Sequence, residues 1–580
     1  MAVTTERPLG DILVEHGIIS PLELDEALQR QRLTGDPLGK LLVKMALCTE
    51  QDIVEALGVQ AGMERADLGK LQIKDEVLRL ITPDIAKFYS VVPIRDKDGV
   101  LTVAMADPLN VGILDDLHQI VGRPVHGAIS NPQDVANYIK NNYSYEADSI
   151  HETLSELVQR VGDSALTADE LGQAEIVGDA DNLKQLAQEP EVIQIVNLCL
   201  LEAVVKRASD IHFEVYEEDF RIRIRIDGVL HEIVSPPKAL AIALVSRVKV
   251  MCNMDISERR LPQDARIDLK VGDSEIDIRV ATLPTLYGEN VVLRILDRTA
   301  VQLDLTKLGF SPPTLKAIHN IIAEPQGIFL VTGPTGSGKT TTLYACLREL
   351  NQVDVKIITT EDPVELQIDR IIQVQVKEDI GLTFANCLRS ILRQDPDIVM
   401  VGEIRDLETA QIAVEASLTG HLVLSTIHTN SAPETITRLL DMNVEPFLIT
   451  SSLSAVLAQR LVRTLCRHCR EEYHPDEEEV ELLGLPEAWR RDPNLRLFKP
   501  KGCPACDFIG YMGRVGLFEL LMVDDTVSDM ILARAMAYDI RRYARRKQGM
   551  RTLREEGLIK CVQGVTSADE ILLHTDKYDD

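Results

Sequence analysis

Apolar positions in the first sixty residues recur with a period of 29. Leu9-Gly10 returns as Leu38-Gly39, Leu13-Val14 as Leu42-Val43, Leu24 as Ile53 and Ala27-Leu28 as Ala56-Leu57. Each copy has helical spacing broken by a turn-like stretch. This predicts two short helix pairs, with Ser20 and Thr49 capping the second helix of each. Residues 70–145 mix short strands (Tyr89–Ile94, Val100–Ala104) with helical stretches. Between 146 and 190 large apolar residues thin out and Glu, Asp and Gln dominate, which predicts a flexible linker. An apolar-periodic helix, Val192–Lys206, leads into alternating strands at Asp210–Tyr216, Phe220–Ile226, Ile267–Val271, Glu275–Ala281 and Asn290–Leu296. Period-2 alternation of this kind describes a half-exposed sheet. From 311 to about 460 strands and helices alternate, the signature of a parallel α/β sheet. Glu471–Arg491 reads as charged and helical. The last sixty residues read as a small helical domain carrying Arg541, Arg542, Arg545, Arg546 and Lys547.

Candidate chemistry sits at the ends of the strands in the third quarter of the chain. Gly333-Pro334-Thr335-Gly336-Ser337-Gly338-Lys339-Thr340 follows the apolar strand Gly327–Thr332 and opens a helix, Thr340–Leu350, with Thr341 as its next residue. Glycines let backbone N–H groups approach phosphate oxygens, and the helix N-terminus adds positive potential. Lys339 is placed to reach the β- and γ-phosphates and the Thr340 hydroxyl to ligate Mg²⁺, which makes this a P-loop for ATP. Ile398-Val-Met-Val-Gly402-Glu403 describes a central strand delivering a carboxylate beside those phosphates. Glu403 is then the base that polarises water, or alternatively a helix cap. Glu361 and Glu365, after the strand Val355–Thr360, are candidates for the Mg²⁺ shell or for positioning water; the alternative is a polar turn. His421 and His428 flank another strand, either as γ-phosphate sensors or as structural residues. Arg221, Arg223 and Arg225 alternate on one strand face, solvated or reaching a neighbouring subunit's phosphate.

Composition narrows the partners. The 580 residues are too many for one core. The 62 basic and 91 acidic residues give −29, which repels nucleic acid and anionic lipid, so no nucleic-acid partner is expected and membrane contact should run through protein partners. No apolar run reaches the ~18 residues that span a bilayer, and the N-terminus lacks a basic-then-apolar leader; a cytoplasmic protein is expected. Of ten cysteines, four form two knuckles, Cys466-Arg-His-Cys469 and Cys503-Pro-Ala-Cys506, 33 residues apart. Four thiolates satisfy tetrahedral Zn²⁺ and leave no position for a catalytic water; a redox dithiol or unrelated thiols are the alternatives.

These motifs together resemble the secretion ATPases that drive type II secretion and type IV pilus assembly. Ala208-Ser-Asp-Ile-His212, Arg223-Ile-Arg-Ile-Asp227-Gly228, the P-loop, Glu361-Asp-Pro-Val-Glu365, Leu392-Arg-Gln-Asp-Pro-Asp397, Gly402-Glu-Ile-Arg-Asp406, Thr419–Asn430 and Gln459-Arg-Leu-Val-Arg463 all stand in that family's order. The resemblance implies that Glu361 and Glu365 form an aspartate box and that His421 and His428 form a histidine box. Glu403 becomes the Walker B glutamate, for which a preceding glycine is normal. It implies a homohexamer that works on an inner-membrane platform protein, held peripherally at that membrane by a cytoplasmic-domain recruiter. The wording Glu415-Ala-Ser-Leu-Thr-Gly420 is closer to type II secretion than to pilus extension. The 29-residue repeat resembles a module that binds cyclic di-GMP in some of these ATPases. Pro8 and Pro37 stand where that motif usually has arginine and Ala46 where it has glycine, and a platform-docking module is the alternative reading.

The expected architecture is multidomain α/β: a RecA-like P-loop NTPase core preceded by a PAS-like α+β domain and N-terminal helical and α+β domains, with a small zinc-binding insertion. In order these are a helical repeat module (1–62), a small α/β domain (63–145), an acidic linker (146–190), a PAS-like domain (191–310), a RecA-like ATPase domain (311–462), a tetracysteine subdomain (463–515) and a C-terminal helical domain (516–580). A DNA translocase and a non-hydrolysing, cyclic di-GMP-responsive scaffold are the competing functions.

Overall fold

The computed structural model describes residues 8–34, 38–71, 73–108, 112–143, 147–163, 180–271, 274–297, 303–492 and 494–576. It divides into two compact units, Met1–Ala300 and Val301–Asp580.

The first unit opens with the two expected helix pairs, Leu9–Glu15 with Pro21–Thr34 and Leu38–Lys44 with Glu50–Gln60. Ser20 Oγ accepts from the Glu23 amide at 3.3 Å, and Thr49 forms a reciprocal capping box with Asp52. The recurring Leu-Gly has a steric reason. A Cβ on Gly10 would lie 2.5 Å from Leu24 Cδ1, and one on Gly39 would lie 2.9 Å from Ile53 Cγ2, the equivalent neighbour one repeat later. Pro37, part of the cyclic di-GMP comparison, lies outside the described residues. A four-stranded sheet follows, built from β1 (Glu64–Arg65), β2 (Val91–Lys97), β3 (Val100–Met105) and β4 (Val125–Ile129) in the order β1-β4-β3-β2.

The acidic linker was expected to be without structure, but residues Ala147–Asp163 form a helix. Ile150, Leu154, Leu157, Val158 and Val161 are buried against the helix Pro190–Val205. That stripe has helical spacing, and the acidic average of the segment conceals it. Residues 164–179 of the expected linker lie outside the described residues.

Six antiparallel strands complete the unit: β5 (Asp210–Val215), β6 (Phe220–Ile226), β7 (Val229–Val234), β8 (Gln263–Val271), β9 (Ser274–Thr285) and β10 (Gly288–Asp297), in the order β7-β6-β5-β10-β9-β8. On β6 the side chains of Phe220, Ile222 and Ile224 are buried, which leaves Arg221, Arg223 and Arg225 on the opposite face. One continuous core, from Ile81 to Ile295, joins this sheet to the four-stranded domain. A buried polar bridge adds to it: Asn197 donates to Tyr89 Oη at 2.8 Å, Tyr89 donates to Asp116, and Arg247 pairs with Asp116 at 2.6 Å.

The second unit is organised by seven strands, β11 (Gly327–Thr332), β12 (Ile357–Glu361), β13 (Ile372–Gln375), β14 (Ile398–Val401), β15 (Leu422–Ile427), β16 (Leu453–Leu465) and, after the hairpin strands β17 (Glu471–Tyr473) and β18 (Leu497–Lys499), β19 (Tyr511–Met522). The sheet order is β13-β12-β14-β15-β11-β16-β19, parallel throughout except for the antiparallel β16–β19 pair. Ile328 and Leu330 face one core while Phe329 and Val331 face the other, and Val399/Val401 and Ile398/Met400 divide the same way. Burial on both faces explains why these strands read as unbroken apolar runs.

Three expected boundaries shift. Residues 303–310 belong with the second unit, where Leu303 and Leu305 are buried in the core of Phe329 and Phe310 packs on the Phe518 ring at 3.8 Å. The expected cuts at 462/463 and 515/516 fall inside β16 and β19, which are paired from Ala455–Met522 to Leu465–Tyr511. The tetracysteine segment therefore caps the far end of a hairpin that belongs to the seven-stranded sheet. Within that insertion, 471–491 is only partly helical (Glu477–Leu483 and Glu487–Arg490), because Glu471–Tyr473 pairs with Leu497–Lys499.

Candidate functional site

The segment 333–338 leaves the C-terminal end of β11 and turns into the helix Lys339–Leu350. Gly336 and Gly338 have φ of 79° and 85°, a left-handed backbone that only glycine adopts without strain. Beneath the loop lies Gln459 of β16, 2% exposed. Its Nε2 donates to the Ser337 carbonyl at 2.6 Å, and its Oε1 accepts from Thr342 at 2.8 Å. A Cβ on Gly333 would meet the Gln459 carbonyl at 2.5 Å. The Lys339 ammonium folds back on the loop, donating to the carbonyls of Gly333 at 2.9 Å and Pro334 at 3.1 Å. Burial holds its pKa below the ordinary lysine value; the Glu403 charge opposes that and Arg460 adds to it. Pro334, Thr335, Gly336 and Thr340 are exposed, while the Ser337 hydroxyl is buried with no hydrogen-bond partner among the described residues. A glycine-rich loop at a helix N-terminus, an ammonium held only by loop carbonyls and an orphaned hydroxyl fit a polyphosphate.

Glu403 stands just past β14, separated from the P-loop strand by β15 alone. Its carboxylate is held by Arg405 on one oxygen and by His428 Nε2 at 3.3 Å on the other. His428 follows the C-terminal end of β15, level with Thr332. His421 does not join it. It precedes the other end of β15, where its Nδ1 contacts the Ala416 carbonyl at 2.9 Å and its own carbonyl accepts from Gly327. The strand's rise puts roughly 20 Å between the two histidines. The spacing of the motif in sequence hides this because an entire parallel strand lies between them.

Glu361 ends β12 but is 3% exposed and already satisfied. Tyr344 and Thr359 donate to it, as does Gln373 at 3.1 Å. It anchors the acidic loop to the P-loop helix and has no face turned to a metal. Tyr344 completes the link by accepting from the Glu365 amide at 3.2 Å, and burial, with the neighbouring Glu361 carboxylate, pushes the phenol's pKa well up. Glu365 is half-buried on the same loop. Arg223 and Arg225 lie in the first unit. Arg223 grips Glu214 through two bonds of 2.6 and 2.7 Å. Arg225 donates to the Gly228 carbonyl at 2.9 Å and lies 3.7 Å from Asp210. Gln459 and Tyr344 are site residues to which the sequence reading gave no role. Gln459 stood inside a quoted motif, whereas nothing in the pattern marks Tyr344.

Cys466, Cys469, Cys503 and Cys506 converge with all four sulfurs within 4.8 Å of one another. Sulfur pairs stand at 3.8–3.9 Å, far beyond a disulfide's ~2.05 Å and equal to the edge of a tetrahedron with ~2.3 Å metal–sulfur bonds. The amides of Cys503 and Gly510 donate to Cys506 Sγ at 3.3 and 3.2 Å, which favours a thiolate there. The set can hold one tetrahedral Zn²⁺.

A parallel sheet bearing this loop, with an acid one strand removed, defines a P-loop ATPase. Residues 185–573 match the Type II/IV secretion system protein family, and the chain belongs to that family. Residues 61–149 match the MshEN domain. The chain is 42% identical over 569 residues to the type IV pilus assembly ATPase PilB of Myxococcus xanthus, covering 98% of each. It is 43% identical over 578 residues to type II secretion system protein E of Xanthomonas campestris pv. campestris, covering 99% of each. To the type II secretion system ATPase E of Vibrio cholerae it is 48% identical over 429 residues, 74% of this chain and 83% of that one.

Proposed function

We propose that this chain is the hexameric, ATP-hydrolysing motor of a type II secretion machine, working from the cytoplasmic side of the inner membrane on a platform protein. The observation that carries the reading is the meeting of the P-loop, Glu403 and His428 at the C-terminal ends of the central strands β11, β14 and β15. The loop amides grip the triphosphate, and Lys339 exchanges the carbonyls of Gly333 and Pro334 for phosphate oxygens. The exposed Thr340 hydroxyl would hold Mg²⁺, which would supply positive charge to the phosphates. Glu403 accepts the proton of the attacking water once Arg405 or His428 turns from the carboxylate to the phosphate. Glu365 helps to orient that water. Arg225, held by one carbonyl and a distant carboxylate, is easier to recruit to a γ-phosphate than the doubly bonded Arg223. The four cysteines hold a structural zinc.

No described helix is long and apolar enough to cross a membrane, which agrees with attachment through a recruiter protein. A pilus-extension motor is the second reading, favoured by the full-length likeness to a pilus assembly ATPase. Cyclic di-GMP binding by the N-terminal region is a further proposal; Pro8, at the start of the first helix, cannot supply the guanidinium contact.

Purified protein should hydrolyse ATP in the presence of Mg²⁺. Glu403→Gln should lower turnover by ~10²-fold or more while nucleotide still binds, and Lys339→Ala should weaken both. Undiminished turnover in Glu403→Gln would remove the assignment. Deleting the gene should stop protein secretion and leave pili intact; the converse phenotype selects pilus extension.

A further inference from the structure

The arginines near the C-terminus have no part in the nucleotide site. They line a 410 Å³ cavity between the C-terminal helices and the tetracysteine insertion. Four guanidiniums, from Arg542, Arg545, Arg546 and Arg551, face one carboxylate, Glu555. This reverses the sign of a chain that carries −29 overall. Three of the four are already engaged: Arg545 with Glu555 at 2.7 Å, Arg551 with Glu556 at 3.3 Å and Arg542 with Asp539 at 3.2 Å. The Arg546 side chain makes no hydrogen bond or ion pair to any described residue. The backbone presenting Arg545 and Arg546, Ala544–Gln548, is a single π-helical turn ending at Gly549 in the left-handed region. Such turns are rare and are frequently found at functional sites.

Trp489, from the insertion, also lines the cavity and packs against the aliphatic cluster that includes Leu485 and Leu558. It is the only tryptophan in the protein. Guanidinium groups bind phosphate through paired, charge-assisted hydrogen bonds. An indole face supplies a stacking platform for a planar ring. A concave site of a few hundred cubic ångströms with an apolar floor and convergent polar groups is the usual form of a small-molecule pocket. A basic surface without the indole offers no ring to stack on.

We propose that this cavity is a second ligand site, for a small phosphorylated aromatic compound of the nucleoside monophosphate class. Arg546 receives the phosphate and Trp489 stacks on the base. It lies apart from the P-loop, and the proposal does not depend on the motor assignment.

The lone tryptophan makes the site directly readable. AMP and GMP lack the phosphates that the P-loop grips, and the full chain carrying Lys339→Ala removes residual binding there. Titration of either nucleotide should quench Trp489 fluorescence saturably, with inorganic phosphate at least tenfold weaker. Arg546→Glu should raise the dissociation constant tenfold or more, and Arg542→Glu should raise it as well, with melting temperatures unchanged. Phosphate as potent as AMP would overturn the stacking role. Indifference to Arg546→Glu, absence of saturable quenching, or saturation by poly-glutamate instead of a nucleotide would each overturn the site.

Discussion

Glu519 shows how much a single side chain can set. It lies on β19, fully buried, and accepts from the Ala432 amide at 2.8 Å. Burial pushes its carboxyl up to about 7; the Ala432 amide and Arg541 pull it down, and Glu434 pushes it up. A carboxyl raised above its unfolded value favours the folded state while protonated. The stabilisation is complete below the unfolded pKa near 4.5 and is lost as pH rises through about 7. The amount at stake is on the order of 3 kcal/mol. Glu519→Gln keeps an acceptor for Ala432 and cannot ionise, so its melting temperature should fall less than the parent's as pH rises from the unfolded value of 4.5 through about 7. Parallel curves would show that Glu519 does not titrate in this range. Gln459 works at the same scale by a different means. Gln459→Ala strands the Ser337 carbonyl and Thr342 hydroxyl in a buried setting, at a cost of ~1–3 kcal/mol. The Michaelis constant for ATP should rise roughly tenfold while the zinc content stays the same. An unchanged constant would mean that the loop holds its shape unaided.

Among the elements, those with strong periodicity could be read directly from the sequence. The alternation on β6 and the apolar runs of β11 and β14 appear at or near their expected ends. The P-loop could be placed because its strand, glycines and helix are consecutive. β16 and β19 were harder to read: their partner lies across an insertion of more than forty residues, and pairing at that distance leaves no local period. The helix 147–163 was hidden for another reason, since polar and charged residues together outnumber its one apolar stripe. His421 and Glu361 carried the right chemistry at the right spacing, but sequence order does not say which end of a strand faces the ligand or whether a carboxylate is already satisfied. The 29-residue repeat gives a prediction at this scale. Ala46 sits at φ 54° where the first copy has Gly17 at φ 69°. The left-handed region costs an L-residue ~1–2 kcal/mol. Ala46→Gly should therefore stabilise the helical module by about 1 kcal/mol, measurable as slower hydrogen exchange in Leu38–Gln60. Faster exchange would mean that glycine's freedom in the unfolded chain outweighs the relief.

At the scale of the whole molecule, the four thiolates should hold about one zinc per chain, countable by elemental analysis. Cys503→Ser should lose the metal and lower the melting temperature of the second unit. A folded, metal-free parent would refute the zinc assignment. Gln459 and Cys466 lie on or just beyond one continuous strand, β16, seven positions apart. Its middle supports the floor of the nucleotide cradle and its tip anchors the thiolate knot. Such a rod ties catalysis to scaffolding: a tug on the knot by a docked neighbour would tilt the floor under the phosphates, and a change in the cradle would be felt at the tip.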